Sequence, residues 1–236
     1  MNKHTHPKGF TLMESVIAIG IVAILLTTFL AVFGPATQGI RKAISIQEAD
    51  RLASALEREL QVLRPESDKN FDTAFDKAFS WIQDSGKDVN PSAVFLYNYK
   101  GDPTQMRSDG TMEPYTGVTG EPGKEFILQP SVRRIGDSEL KDDLEAVVGP
   151  IYFVKATQLV FDNGSLTLGT PGQIVDPHGG AGGALDSNSY PEAVIAYNAQ
   201  VYLLRSNTFQ YVERFDPTDK EVLGQPLFSR NLAVRR

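Results

Sequence analysis

An acidic side chain, Glu14, lies within an apolar stretch near the amino terminus of this 236-residue chain. The stretch runs from Phe10 to Phe33 and contains no Lys, Arg, Asp or His. An acidic residue at the centre of a membrane helix costs roughly 2.5 to 3.5 kcal/mol on insertion scales, so a lone carboxylate calls for a functional reason. A positively charged group about one helical turn away would supply one, because side chains four residues apart on a helix are neighbours.

A single helix is the element that would position this carboxylate. At about 1.5 Å per residue, the apolar stretch forms a helix of roughly 36 Å, longer than the hydrocarbon core of about 30 Å. A cleaved signal peptide has a shorter apolar core, of roughly 7 to 15 residues. The stretch follows Lys3 and Lys8, which favour a cytoplasmic amino terminus and export of the rest of the chain. The sequence therefore predicts a transmembrane helix over residues 10–36.

The segment Lys8-Gly9-Phe10-Thr11-Leu12-Met13-Glu14-Ser15 resembles the amino-terminal processing site of type IV pilins and of the pseudopilins of type II secretion. In that family a prepilin peptidase cuts after the glycine, here Gly9, and methylates the new first residue, here Phe10. The acidic residue at the fifth mature position is here Glu14, four residues from Phe10 on a helix. Such a cut would give Phe10 an α-amino group with a reference pKa of about 7.7 to 8.0, positively charged at neutral pH, which Glu14 of the same chain or of a neighbouring copy could neutralise. The resemblance covers roughly the first 60 residues, and its specificity comes from the joint presence of basic leader, motif and span. The alternative is an ordinary signal anchor in which Glu14 reaches towards the lipid headgroups.

The resemblance implies an α+β, pilin-like fold in which a long N-terminal helix, half transmembrane and half amphipathic, packs on a mainly antiparallel β-sheet head. Residues 1–9 would be a cytoplasmic leader peptide. The protein would be a single-pass protein of the bacterial inner membrane, with its amino terminus in the cytoplasm, that later enters a periplasmic or surface filament. Implied partners are the prepilin peptidase, other pilin subunits met through the N-terminal helix and, indirectly, an inner-membrane assembly platform and an outer-membrane secretin.

Residues 37–65 are predicted to continue the helix with an amphipathic pattern. Gly34-Pro35 should interrupt the helix before this part with a kink or a short unwound stretch, because proline lacks an amide donor and clashes with the preceding turn. Arg64-Pro65 should end it, since the residue before a proline avoids the helical region. Charged residues such as Glu48 and Arg51 suit a solvated face. Apolar residues recur at helical spacing at Ile40, Ile44, Leu52, Leu56, Leu60 and Leu63.

Residues 66–236 are predicted to form one globular periplasmic or extracellular head. A short helix over 71–84, with Asp68 or Asn70 as its cap, carries an aromatic stripe that we interpret as core. Asn163-Gly164 predicts a two-residue hairpin turn, and Ser206-Asn207-Thr208 a second turn. Residues 100–124 and 171–192 are predicted surface loops. Strands are predicted over 94–99, 126–129, 151–155, 158–162, 165–168, 193–205 and 209–215.

Composition excludes several classes of chemistry. The chain has no cysteine, so it can have neither a thiol nucleophile nor the disulfide-bounded C-terminal loop found in many pilins. Of its three histidines, only His178 lies in the exported part, and no Gly-x-Ser-x-Gly elbow accompanies it. We therefore predict a protein that is not an enzyme. The net charge of −6 argues against a nucleic-acid-binding surface, which requires clustered Lys and Arg.

Calcium is the one cofactor for which the sequence offers ligands. Asp216, Asp219 and Glu221 cluster near the carboxyl terminus, and Ca²⁺ accepts carboxylate and carbonyl oxygens. An ordered Asp-x-Asp-x-Asp-Gly pattern is missing, and a loop with three acids is more commonly a solvated turn. The prediction is therefore no cofactor, with these three residues as the calcium candidates.

Three functions remain open on the sequence alone. The first is a structural subunit of a type IV pilus or pilus-like filament, and the second is a pseudopilin of a type II secretion system. Some pseudopilins that cap the tip lack the acid at the fifth mature position, so Glu14 argues against the initiating tip subunit. The third is a membrane-anchored binding module that uses the pilin export route. Major and minor subunits are not distinguished.

Overall fold

The computed structural model describes residues 11–64, 68–179, 183–219 and 223–236. The chain divides into two compact units, Met1–Gln47 and Glu48–Arg236. The predicted leader, residues 1–9, lies outside the described residues. The described part of the first unit is the first portion of one long helix, and the second unit contains the sheet.

The long helix, α1, spans Leu12–Glu59. It continues through Pro35, so the predicted unwound stretch at Gly34-Pro35 is wrong, and the kink stays a prediction. Thr37 Oγ1 donates a hydrogen bond to the Gly34 carbonyl oxygen at 2.9 Å beside Pro35. The predicted end at Arg64 is also wrong, because α1 stops at Glu59. There the last turn tightens, with Val62 N–H donating to the Glu59 carbonyl oxygen at 3.3 Å.

The second helix, α2, spans Ala74–Ser85. Its cap is Thr73, and the prediction of Asp68 or Asn70 is wrong. Thr73 Oγ1 accepts from the backbone N–H of Asp76 at 3.1 Å, and Thr73 N–H donates to Asp76 Oδ2 at 3.0 Å. These reciprocal bonds form a capping box, which starts the helix three residues later than the aromatic stripe suggested.

In the part of the chain that the structure describes, seven strands form a sheet in which every neighbouring pair is antiparallel. Their order is β2-β1-β4-β6-β7, with β3 also paired to β1 and β5 to β4. The strands are β1 Val94–Met106, β2 Met112–Pro114, β3 Ile127–Arg134, β4 Val147–Asp162, β5 Ser165–Leu168, β6 Val194–Leu203 and β7 Phe228–Arg235. Two short helices, α3 Leu140–Glu145 and α4 Phe209–Glu213, complete the described elements together with a 3₁₀ turn at Asn90–Ser92.

The core lies on both faces of this sheet. Side chains alternate along β1, so Val94 and Leu96 pack towards α1 and α2 while Phe95 and Tyr97 pack towards α3 and α4. The last turns of α1 contribute the predicted apolar residues Leu52 and Leu56, and Leu60 directly follows the helix; all three are buried. Leu63 lies beyond the helix and is 36% exposed, contrary to its predicted place on the apolar side. The protein is thus α+β, with a long N-terminal helix and a mainly antiparallel sheet.

Several predicted strands and loops have different bounds in the structure. Residues 151–155 and 158–162 belong to one strand, β4, and β1 with β2 occupies part of the predicted loop 100–124. Residues 209–215, predicted as a strand, contain α4, so Ser206-Asn207-Thr208 does not turn a hairpin. The Asn163-Gly164 hairpin is confirmed, since both residues have positive φ, 49° and 82°, between β4 and β5.

Candidate functional site

The start of α1 is held by a reciprocal pair of residues. Thr11 N–H and Thr11 Oγ1 donate to Glu14 Oε2 at 2.9 and 2.8 Å, and Glu14 N–H donates to Thr11 Oγ1 at 3.2 Å. This is a capping box, and it turns the Glu14 carboxylate back towards the amino terminus of the helix. Gly9 and Phe10, the predicted cleavage and methylation residues, lie outside the described residues. Glu14 thus has a structural role, and its carboxylate lies at the end of the helix where cleavage would create an amine.

The helix that follows Glu14 exposes a continuous apolar surface. Large apolar side chains from Leu12 to Phe33 are between 49% and 84% exposed. The helix is long and apolar enough to cross a membrane. Its hydroxyl groups bond within the helix, Thr27 Oγ1 to the Ala23 carbonyl oxygen at 2.8 Å and Thr28 Oγ1 to that of Ile24 at 2.9 Å. Internal bonds of this kind let polar side chains enter an apolar layer, because water is not needed as a partner.

A group of buried charges lies where the end of α1 meets α2. Lys77 is fully buried, and its Nζ donates to Glu59 Oε1 at 2.7 Å, to Asp68 Oδ2 at 2.7 Å and to the Val62 carbonyl oxygen at 3.0 Å. The three donors of the ammonium therefore have three acceptors. Arg64 binds the other side of the Glu59 carboxylate, with Nη2 and Oε2 separated by 2.5 Å. These contacts fix the last turn of α1 against α2.

A second group surrounds Asp143 of α3, which is fully buried. Asp143 Oδ1 accepts from Arg107 Nη1 at 2.5 Å, and its Oδ2 accepts from Tyr97 Oη at 2.7 Å and from Arg133 Nε at 3.3 Å. Arg133 Nη1 also lies 2.8 Å from Asp109 Oδ2. We call these five residues together with Glu59, Arg64, Asp68 and Lys77 the buried ionic network.

The network changes the acidity of its members. Burial lowers the pKa of Arg133, but the charges of Asp137 and Asp143 outweigh that effect, so the pKa is raised above its ordinary value. Burial, followed by the charge of Asp143, raises the pKa of Tyr97 well above its ordinary value. The same two causes raise the pKa of Tyr99 to about 12. Arg133 therefore stays charged, and the phenols of Tyr97 and Tyr99 stay neutral, at physiological pH.

A cleft of about 580 Å³ opens beside the buried ionic network. Its lining is mixed in charge and includes Arg107, Asp109, Arg134, Glu139 and Trp81. The indole of Trp81 is contacted by Lys77 Nζ, 4.9 Å from the ring centroid, and by the Arg134 guanidinium at 5.8 Å. The described residues of the lining include no His and no Cys.

Sequence reasoning missed the network. Its members come from α1, α2, α3, β1, β3 and the loops between them, so no spacing in the sequence brings them together. One signal was present in α2, where Lys77 lies among Phe75, Ala78 and Phe79. A charge inside an apolar stripe is uncommon in a core unless it is paired.

The other predicted site residues have local roles in the structure. Asp216 Oδ1 accepts from Thr218 N–H at 2.8 Å and from Thr218 Oγ1 at 2.7 Å, which closes a turn. Glu221 lies outside the described residues. Among the described residues, no group of three or more His, Cys, Asp or Glu side chains could hold a metal ion, either at Asp216 and Asp219 or elsewhere. His178 stacks on Phe161, and its Nε2 lies 3.1 Å from Glu192 Oε1.

Comparison with known proteins adds no relative to these observations. No protein-family model, no curated protein and no solved structure matches the chain.

Proposed function

We propose that this chain is a structural subunit of a type IV pilus or pilus-like filament, made as a prepilin that is cleaved after Gly9 and N-methylated at Phe10. The observation that carries the proposal is Glu14. It is the fifth residue after the proposed cut, it begins a helix long enough to span a membrane, and its carboxylate is turned to the N-terminal end of that helix.

The apolar surface of α1 serves two environments in turn. Before assembly the side chains between Leu12 and Phe33 lie in lipid, with the amino terminus in the cytoplasm and the sheet outside. After assembly the same side chains pack against the N-terminal helices of other subunits. The amine of Phe10 and the carboxylate of Glu14 then neutralise each other, within one subunit or between two, and the pairing of two subunits fixes their axial register.

The location and mass of the mature chain test this proposal. Mass spectrometry of sheared surface filaments should find a chain that begins at N-methylated Phe10, and peptidase-deficient cells should retain residues 1–9. Pseudopilins of type II secretion share the processing motif, so a cleaved chain confined to the periplasm would favour that alternative. A chain that stays in the inner membrane with Gly9 attached to Phe10 would refute the proposal.

Variants of the capping box separate two roles for Glu14. Glu14→Gln removes the charge, and Thr11→Val removes the hydroxyl that shares the capping box but leaves the charge. We expect Glu14→Gln to be cleaved normally and to enter filaments about tenfold less, equivalent to about 1.4 kcal/mol, while Thr11→Val assembles nearly as well as the unaltered chain. Equal incorporation of both variants, measured by quantitative immunoblotting of sheared filaments, would reduce Glu14 to a helix cap.

A further inference from the structure

Two outer strands of the sheet, β3 and β7, differ in their ability to accept another strand. Among the described residues, β3 pairs only with β1, and β7 pairs only with β6. In an antiparallel pair, successive residues alternately direct their N–H and C=O groups towards the partner and away from it. One hydrogen bond at the end of each strand pair therefore shows which residues direct their backbone N–H and C=O groups outward.

The outer edge of β3 is blocked. Ile135 N–H donates to the Ala93 carbonyl oxygen at 3.2 Å, which continues the register in which Arg133 pairs with Phe95. Odd-numbered residues of β3 therefore face β1, and Pro130 faces outward. Because proline has no N–H, it removes a donor from this edge, as is common where a sheet must not be extended.

The outer edge of β7 is open. Arg236 N–H donates to the Ala193 carbonyl oxygen at 2.8 Å, so the even-numbered residues of β7 face β6. The backbone groups of Ser229, Asn231, Ala233 and Arg235 therefore point outward, and all four residues are exposed. The strand has eight residues in unbroken register and contains neither Pro nor Gly. Such an edge is a template for strand addition.

The short strand β5 has backbone and side-chain groups suited to pairing with the outer edge of β7. Gly169 N–H donates to the Gln158 carbonyl oxygen at 2.8 Å, which continues the β4–β5 register and directs the backbone of Leu166 and Leu168 outward. Their side chains are 51% and 55% exposed. Asp162, at the base of the hairpin turn, is exposed and acidic, whereas β7 and Arg236 carry only positive charges. The β5 edge is thus apolar with an acidic end, and the β7 edge has a basic end.

We propose that the open edge of β7 accepts β5 from a second copy of this chain. The two surfaces differ, so the contact is heterologous, and such contacts repeat into open helical arrays when the rotation between copies does not close a ring. This contact adds to the proposed function and rests on it in one respect, since filament assembly brings copies of the chain side by side. The two strands themselves, β5 and β7, both lie within Glu48–Arg236.

Cysteine cross-linking tests the contact, since the natural chain has no cysteine to interfere. Two full-length chains with different tags are produced in the same cells, one with Leu166→Cys and the other with Asn231→Cys, and their membranes and filaments are treated with a short bis-maleimide. We expect cross-linked dimers that carry both tags, with dimers of a single tag about tenfold rarer, equivalent to about 1.4 kcal/mol.

A matched pair of substitutions in β7 tests whether its open edge is responsible for the mixed-tag dimer. Ala233→Pro in the Asn231→Cys chain removes an outward N–H without touching the bonds to β6, and should lower the mixed-tag dimer about tenfold. Ala233→Thr keeps the donor and should leave the yield unchanged. Equal melting temperatures of the two chains in detergent show that the fold is retained.

Three results would overturn the proposal: no mixed-tag dimer, single-tag dimers in excess, or cross-links from Asn231→Cys to a different protein. The mass of the amino terminus, measured on the same cells, separates this proposal from the proposed function. A mixed-tag dimer of a chain still attached to Gly9 would refute only the pilin function, and a cleaved chain without the dimer would refute only the strand contact.

Discussion

The side chain of Lys77 carries a positive charge into a part of the core where water does not reach it. An ion in such a place is tolerated because Glu59 and Asp68 each bind it at 2.7 Å and the Val62 carbonyl takes the third donor. Removing one partner of a buried pair leaves the other charges uncompensated. The damage then comes mainly from the carboxylates left behind.

Lys77→Met should lower the free energy of unfolding by about 3 to 5 kcal/mol, the usual cost of breaking a buried ion pair. Chemical denaturation of the full chain in detergent measures the change. Lys87→Met is the matched control, because Lys87 Nζ also pairs with a carboxylate, Asp84, at 2.8 Å but is 43% exposed. That control should change stability by about 0 to 1 kcal/mol. Equal effects would contradict the role of Lys77.

Tyr99 makes stability depend on alkaline pH. Its burial raises the pKa to about 12 from an ordinary value of 10.0. Above pH 10 the unfolded chain therefore binds fewer protons than the folded one, so stability present below pH 10 is lost as the pH rises towards 12. We expect the melting temperature of the unaltered chain to fall more steeply over this range than that of Tyr99→Phe. Parallel curves would show that this phenol does not contribute.

The β4–β5 hairpin is the element that depends most directly on glycine. Gly164 has φ of 82°, a conformation that costs other residues roughly 1 to 2 kcal/mol. We expect Gly164→Ala to lower stability by about 1 kcal/mol and to speed hydrogen exchange at Thr167 and Gly169, whose N–H groups face β4. Gly136→Ala is the control, because a Cβ there would meet no atom within 4 Å and the backbone has no positive φ. A similar loss in both variants would contradict the strained turn.

The sequence predicted those elements whose local signal is unambiguous. Asn163-Gly164 located a turn to the residue, and Leu52, Leu56 and Leu60 identified the buried side of α1. It failed for α4 because Phe209, Val212 and Phe215 fit both a short strand and a helical turn, and such short runs are ambiguous. It missed β7, although Leu232 and Val234 alternate with exposed residues as an outer strand requires.

The candidate site was only half predictable for a similar reason. Glu14 and its helix depend on neighbours within one or two turns, which a sequence displays directly. The buried ionic network joins residues as distant as Arg107 and Asp143. Their pairing depends on the completed sheet, because only the tertiary fold removes them from water.

At the scale of the whole molecule, the apolar surface of α1 should dominate behaviour in solution. We expect the full chain to enter the detergent-rich phase in a cloud-point partition experiment, because side chains such as Ile19 and Ile24 are 70% and 69% exposed. A chain that begins at Glu48 should stay in the aqueous phase. Recovery of the full chain in the aqueous phase would contradict a membrane anchor.

The enclosure of Lys77 also gives the molecule an internal reporter. Its amine has no solvent contact and three hydrogen bonds, so an acylating reagent reaches it only after the last turn of α1 separates from α2. Exposed lysines such as Lys42 and Lys87 react without any such opening. The rate at which Lys77 is labelled, compared with theirs, therefore measures how often this junction opens in the intact protein.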